Sequence, residues 1–218
     1  MPGNIKAAEE AGTSIESIKR FMTLRNIPKM FESINSSGKR AAEIVSNMLS
    51  FSRDEHARKT SHNINELIEK TIELASTDYN VHKQYDFKKI QIQKEFTHNL
   101  PLISCEESKI QQVLLNIFRN GAQAMQEAHT ENPTIIIRTM FNSEKKMNYV
   151  EIEDNGPGMT NTIKKRIFEP FFTTKENGIG TGLGLSVSYF IITENHKGEM
   201  SVISEVDIGT RFIIGLPL

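Results

Sequence analysis

The chain predicts an α+β fold: a two-layer sandwich with a mixed, largely antiparallel sheet and helices on one face, preceded by a separate helical segment. Three observations carry this. Ile64, Leu67, Ile68, Ile72 and Ala75 recur at helical spacing, and Leu114, Ile117, Phe118 and Met125 do so again further on. Residues 90–96 (Ile-Gln-Ile-Gln-Lys-Glu-Phe) alternate apolar and polar as a strand does. Short β-branched runs, Ile135-Ile136-Ile137 and Val150-Glu151-Ile152, then supply further strands between turns.

Taken in order, residues 1–58 read as helical and polar-faced. Thr13 with Glu16 forms a capping box for a helix over about 14–24, and Pro28 suits the first turn of the next. From there Phe31, Ile34, Ala41, Ile44, Val45, Met48 and Phe51 make one apolar stripe on a helix running to about Arg53. Two readings of that stripe are open: packing on its own domain, or pairing with a second chain as half of a helical hairpin. Rising charge over Asp54–Thr60 marks a hinge, so the domains divide as 1–58 and 59–218. Asn63 then caps a helix over about 64–76, and Ser104 with Glu107 caps one running to about His129. Residues 160–182 are loop-rich, 184–195 helical, and 200–204 and 210–216 strands.

Composition narrows the function classes. With 26 Lys+Arg against 27 Asp+Glu the net charge is −1, and no field of one sign favours nucleic acid or an anionic membrane. The lone Cys105 excludes an internal disulfide and suits a reducing compartment. No apolar run approaches the roughly 18 residues that span a bilayer, and the N-terminus lacks the apolar core of a signal peptide. A soluble cytoplasmic piece of a larger protein, itself without membrane contact, is the expectation.

Five short motifs lie in order between residues 116 and 210. Asn116 and Asn120, four apart on a helix, project their amides from one face; an amide oxygen is a hard neutral ligand suited to Mg²⁺. Asp154 closes a strand and enters Asn155-Gly156-Pro157-Gly158. A carboxylate there accepts a hydrogen bond from the exocyclic amine of adenine, while Gly156 and Gly158 permit close backbone approach; an ordinary turn is the plain alternative. Phe168-Glu169-Pro170-Phe171-Phe172-Thr173-Thr174-Lys175 is too apolar for a free loop, and Lys175 is either a point charge for a phosphate or a solvated lysine. Gly180-Thr181-Gly182-Leu183-Gly184 opens a helix whose free N–H groups suit an anion. Gly209-Thr210 precedes the last strand.

This series resembles the N, G1, F, G2 and G3 boxes of bacterial sensor histidine kinases, members of the GHKL (Bergerat-fold) ATPases, over about residues 28–218. The resemblance implies ATP with Mg²⁺ as ligands, Asn120 on the metal, Asn116 near the phosphates, and a mobile lid over about 160–182 that includes Phe172. It also implies that Thr210 helps fix Asp154 or a water near adenine. Residues 38–53 are similar to the second helix of the kinase dimerisation domain, which favours the pairing reading of the apolar stripe and a homodimeric parent. A response regulator receiver domain is the implied partner. One departure is that Gly121-Ala122-Gln123-Ala124-Met125 stands where many such kinases place a basic residue.

The acceptor pattern of these kinases, His-Glu closely followed by Asn-Pro, is matched by none of the six histidines; His56 is followed by Ala57. The chain therefore reads as a fragment that binds ATP without carrying its phospho-acceptor, and no residue is assigned as a catalytic base. Competing readings are another GHKL ATPase (chaperone, topoisomerase, mismatch repair or anti-sigma serine kinase) and a pseudokinase-like interaction module. The Ser50-Phe51-Ser52-Arg53 helix end and the phenylalanine-rich lid speak against the former.

Overall fold

The computed structural model describes residues 2–52, 59–77, 86–175 and 181–218. It divides into a helical unit, Met1–Ser46, and an α/β unit formed by Asn47–Thr174 with Thr181–Leu218. Gly180, Arg53, His56, His82 and most of the expected hinge lie outside the described residues.

The helical unit contains α1 (Pro2–Glu10), α2 (Ile15–Leu24) and the start of α3 (Ile27–Ser52). The cap of α2 is Ser14 rather than Thr13: its hydroxyl accepts the Ser17 N–H at 3.1 Å, satisfying one of the free donors at the helix start. Along α3 the stripe residues Phe31, Ile34, Ala41 and Val45 are exposed; the side chains of Ile44, Met48 and Phe51 are outside the description. Phe21 and Leu24 on α2 are exposed as well.

The α/β unit is built on a five-stranded sheet ordered β2-β4-β5-β7-β6: β2 (Gln91–Glu95), β4 (Thr134–Asn142), β5 (Met147–Asp154), β6 (Glu199–Glu205) and β7 (Gly209–Pro217). Among the described residues only β2 and β4 pair in parallel, so the mixed, largely antiparallel expectation holds. A second small sheet pairs β1 (Thr60–His62) with β3 (Ile103–Cys105). Thr60 is therefore a strand residue and not hinge.

Helices α4 (Ile64–Thr77), α5 (Glu107–Glu127) and α7 (Gly184–Phe190) supply the second layer. Asn63 caps α4 as expected, its side chain accepting the Asn65 N–H at 3.0 Å. Thr71 is buried there while Ile72 and Ala75 are only half-buried. Thr71 escapes a hydrophobicity scan because its hydroxyl is satisfied internally, donating to the Leu67 carbonyl at 2.6 Å. On α5 the buried face is Ile110, Val113, Leu114, Ile117, Phe118, Gly121, Ala122 and Met125, a full stripe at spacings of three and four. It packs against β5, and the inner sheet residues Ile135, Ile137, Val150, Ile152, Phe212 and Ile214 are buried as well. Among its described residues the loop-rich stretch after β5 contains one short helix, α6 (Asn161–Lys164). After α7 the expected single helix loosens into a π-helical turn over Ile191–Asn195. Among the described residues no helix is long and apolar enough to cross a membrane.

The start of α5 departs from the sequence expectation. Ser104 sits in β3 opposite Ser61, and the N-cap residue Glu106 makes no side-chain cap. Instead the Glu106 N–H donates to Nε2 of buried His196 at 3.1 Å, while His196 Nδ1 lies 2.8 Å from the Ile191 carbonyl. Those roles define the neutral tautomer with its proton on Nδ1, because Nε2 must accept. Burial, together with the nearby Lys59 and Lys109 charges, holds the His196 pKa below its ordinary 6.5, opposed by the Ile191 carbonyl and the Glu106 carboxylate.

An imidazole that resists protonation when folded stabilises fully above about pH 6.5, and that contribution drains away as the pH falls below it, since the unfolded chain binds the proton first. His196→Ala is expected to lose about 2–4 kcal/mol in urea unfolding near pH 7.5, from two hydrogen bonds and a cavity. The difference from wild type should shrink near pH 5; a difference that stayed constant would contradict the assignment.

Candidate nucleotide site

The strand period of two puts every second side chain of β5 on the helix-facing side of the sheet: Asn148, Val150, Ile152 and finally Asp154. In β7 the same alternation puts Thr210, Phe212, Ile214 and Leu216 on that side. The antiparallel register pairs Asp154 with Thr210. Asp154 is 9% exposed, a carboxylate at the end of an otherwise apolar inner row.

Its Oδ1 accepts the Gly156 N–H at 3.0 Å, and the Thr210 backbone N–H also bonds to the carboxylate. Burial nevertheless dominates, and the Asp154 pKa rises from 3.8 to about 6, with Glu153 adding a smaller push in the same direction. Two glycines lie against its oxygens. A Cβ at Gly156 would come 2.8 Å from Oδ1, and one at Gly121 would come 3.2 Å from Oδ2. Gly121, the first residue of the stretch 121–125 that lacks the basic residue of many such kinases, thus lies against the carboxylate.

Thr210 meets Asp154 through its backbone. Its hydroxyl lies 3.0 Å from that of Ser204, and Ser204 donates to the Gly209 carbonyl at 2.9 Å. Sequence reasoning missed Ser204; the only available signal was its place six residues before Thr210, across the β6–β7 turn. Gly158 has φ +64, and a Cβ there would lie 1.8 Å from the Glu205 carbonyl. It serves close packing of the Asp154 loop on the β6–β7 hairpin, reinforced by the Asp207 N–H donating to the Pro157 carbonyl at 2.9 Å.

Asn116 and Asn120 are both half-buried on α5. The Asn116 amide nitrogen donates to the Gly184 carbonyl at 3.1 Å and to the Ser188 hydroxyl at 3.2 Å, bracing α5 against the first turn of α7. Asn120 makes no side-chain hydrogen bond among the described residues. Among those residues there is also no cluster of three or more His, Cys, Asp or Glu able to hold a metal. A single neutral amide oxygen without a carboxylate cage fits Mg²⁺ taken together with phosphate oxygens, and does not fit an ion held by protein alone.

Along the glycine-rich run, Leu183 is buried and its N–H donates to the Thr181 hydroxyl at 3.3 Å. Gly182, at φ +67, passes 2.4 Å (as its Cβ would measure) from the Phe171 carbonyl carbon, so the run and the phenylalanine loop touch backbone to backbone. Gly184 begins α7. Within that loop Phe168 packs on Tyr189 with ring centroids 4.9 Å apart, Ile167 is buried, and Phe171 is exposed. Phe172 is covered by the Arg166 guanidinium at 4.3 Å from its ring centroid. Lys175 is half-buried and falls outside the α/β unit.

Residues 105–218 match the family model of the histidine kinase-, DNA gyrase B- and HSP90-like ATPases, so the chain belongs to that family. Within it, this is an ATP-binding catalytic domain of the histidine kinase kind. The chain is similar to sporulation kinase E of Bacillus subtilis (strain 168), 34% identical over 188 residues, covering 86% of this chain and 24% of that protein. It is 35% identical over 176 residues to the signal transduction histidine-protein kinase AtoS of Escherichia coli (strain K12), covering 81% and 27%. The chain thus spans about a quarter of the length of these relatives. Among solved structures, the nucleotide-free catalytic domain of histidine kinase ThkA is similar at 30% identity and TM-score 0.58, covering 73% of this chain and 95% of that one. The complex of ThkA with response regulator protein TrrA aligns at 25% identity and TM-score 0.65, covering 99% and 56%.

A carboxylate whose pKa is raised to about 6 is ionised at neutral pH at a cost of about 3 kcal/mol to the folded state. The folded acid binds its proton more readily than the unfolded one, so this contribution worsens as pH rises from about 4 to about 6. Asp154→Asn removes the charge while keeping an oxygen for the Gly156 N–H. Nucleotide-free, the variant should be more stable than wild type by up to about 2 kcal/mol near pH 7.5, and the advantage should vanish near pH 4. Thermal unfolding followed by circular dichroism checks this; a lower Tm for the variant near pH 7.5 would mean that the carboxylate stabilises the fold.

Proposed function

We infer that the protein containing this chain is a sensor histidine kinase, in which residues 59–218 bind ATP and transfer its γ-phosphate to a histidine. That phosphoryl group then passes to an aspartate of a response regulator receiver domain. The observation that carries the nucleotide reading is Asp154: a buried carboxylate, poorly compensated, with glycines against both oxygens. Such a costly group is retained where a ligand completes its hydrogen bonding, and the adenine amine is a donor of the right kind.

In this reading Asn120 supplies an oxygen to Mg²⁺, and the ion's chemistry is to neutralise phosphate charge during transfer. Asn116 holds the Gly184 turn, and the glycine-rich run of Gly180, Thr181, Gly182 and Leu183 is read as the phosphate-binding segment. Gly156 and Gly158 shape the floor beside the base, and Thr210 sets the opposite side. Phe172 and Lys175 belong to the segment that covers the nucleotide. The nitrogen of the acceptor imidazole attacks the γ-phosphorus, the bond to the bridging oxygen breaks, and ADP leaves. An acidic neighbour of that histidine takes the imidazole proton.

Residues 1–58 are read as part of the dimerisation domain, and the exposed Phe31, Ile34 and Val45 on α3 as a surface covered in a homodimer. The likeness to ThkA, whose structure was solved with a response regulator protein, supports a receiver domain as partner. A cytoplasmic location follows from that partnership.

Calorimetry with ADP, ATP and GTP, with and without Mg²⁺, tests the reading. ATP and ADP should bind, GTP at least about 100-fold more weakly. Asp154→Asn should weaken ATP and ADP alike by roughly tenfold or more, and Asn120→Ala should remove chiefly the Mg²⁺-dependent part. Given γ-labelled ATP, the chain should phosphorylate a histidine-bearing dimerisation domain supplied in trans only weakly, and its own His56 not at all. Equal affinity for ATP and GTP would sink the adenine assignment.

A further inference from the structure

Ser204, Thr210 and Asp154 stand side by side across three strands: Ser204 pairs with Thr210 between β6 and β7, and Thr210 pairs with Asp154 between β7 and β5. All three are buried. A hydroxyl carries one proton. That of Ser204 is committed to the Gly209 carbonyl at 2.9 Å. With that proton on the carbonyl, Ser204 accepts and Thr210 donates in the 3.0 Å contact between the two hydroxyls. Thr210 Oγ1 has then spent its own proton and can only accept. Beside it stands the Asp154 carboxylate, also an acceptor, which takes the Thr210 and Gly156 backbone N–H groups.

We propose that Ser204 is a positioning residue for base selection: by taking the Thr210 proton it makes Thr210 a second acceptor, next to Asp154, for the purine edge at C6. This rests on the adenine reading above and deepens it. Adenine presents an amine there, which donates. A 6-oxo purine presents a carbonyl, which finds two acceptors and no donor. Without Ser204 the Thr210 hydroxyl is free to turn and donate to that carbonyl, so the selectivity resides in the direction of a hydrogen-bond chain and not in the shape of the pocket.

The test uses the 218-residue chain with ADP and inosine diphosphate, which differ at C6 and in the proton that the 6-oxo base carries on N1, in the presence of Mg²⁺. Wild type should prefer ADP by on the order of 100-fold. Ser204→Ala should narrow that preference to about tenfold or less, mainly by tighter binding of inosine diphosphate. Thr210→Ser, which keeps the hydroxyl, should leave the preference in place, and Thr210→Val should narrow it. In the Thr210→Val background Ser204→Ala should change the preference no further, an outcome that a merely structural serine would not produce. An unchanged preference in Ser204→Ala, or in folded Thr210→Val should Ser204→Ala not fold, overturns the proposal. Equal binding of the two nucleotides by wild type is a different result, and removes the adenine reading itself.

Discussion

The antiparallel register between β5 and β7 is the constraint on which the site depends. It sets Asp154 opposite Thr210 at the end of both strands, on the face that α5 covers. A slip of one residue would turn Asp154 outward to water and bring Glu153 inward, because side chains alternate strictly along a strand. The apolar rows behind them, Val150 and Ile152 on one strand and Phe212 and Ile214 on the other, forbid that slip. Burial of ordinary aliphatic side chains thereby holds an unfavourably placed carboxylate where it is. The core pins the register, and the register pins the site.

A second joint, at the far side of the helical layer, is made by a neutral imidazole. His196 takes the Glu106 N–H at the start of α5 and binds the Ile191 carbonyl in the π-helical turn after α7. Midway along α5, the Asn116 amide donates to the Gly184 carbonyl and the Ser188 hydroxyl of α7. The two helices are thus tied twice by hydrogen bonds as well as by packing. Asn116 consequently acts on the glycine-rich turn by holding its carbonyl, which leaves Asn120 as the asparagine with an unengaged amide among the described residues. Two amides one turn apart have different work, and their spacing alone could not divide it.

Asp154 and His196 are both buried titratable groups, and their linkage to pH runs in opposite senses. Burial favours the uncharged form of each: the protonated acid for Asp154, the deprotonated base for His196. The histidine reaches its uncharged form at neutral pH and is a stabilising part of the framework. The aspartate does not, and carries its charge inside the fold. That contrast marks His196 as part of the framework and Asp154 as a candidate for function, on physical grounds.

Much was legible in the amino-acid order itself. The α5 stripe, the β5 alternation that ends on Asp154, the Asn63 cap and the glycine-rich entry to α7 are local patterns with periods of 3.6 or 2, and local sterics and side-chain hydrogen bonds enforce them. Other features needed the tertiary structure. Ser104 had the spacing of a cap and became a strand residue, since pairing with Ser61 satisfies its backbone and a histidine ninety residues away caps the helix instead. Thr60 looked like hinge and is paired in a strand with Cys105, while Thr71 looked polar and is buried, its hydroxyl satisfied one turn back by the Leu67 carbonyl. Ser204 carries no sequence signal of its contact with Thr210, because that contact forms only when β6 pairs with β7. The sequence by itself determined the elements and the chemical groups they carry. Which groups meet was decided only by sheet register and helix packing, where burial acts on the whole chain at once and residues far apart in sequence compete for the same hydrogen bonds.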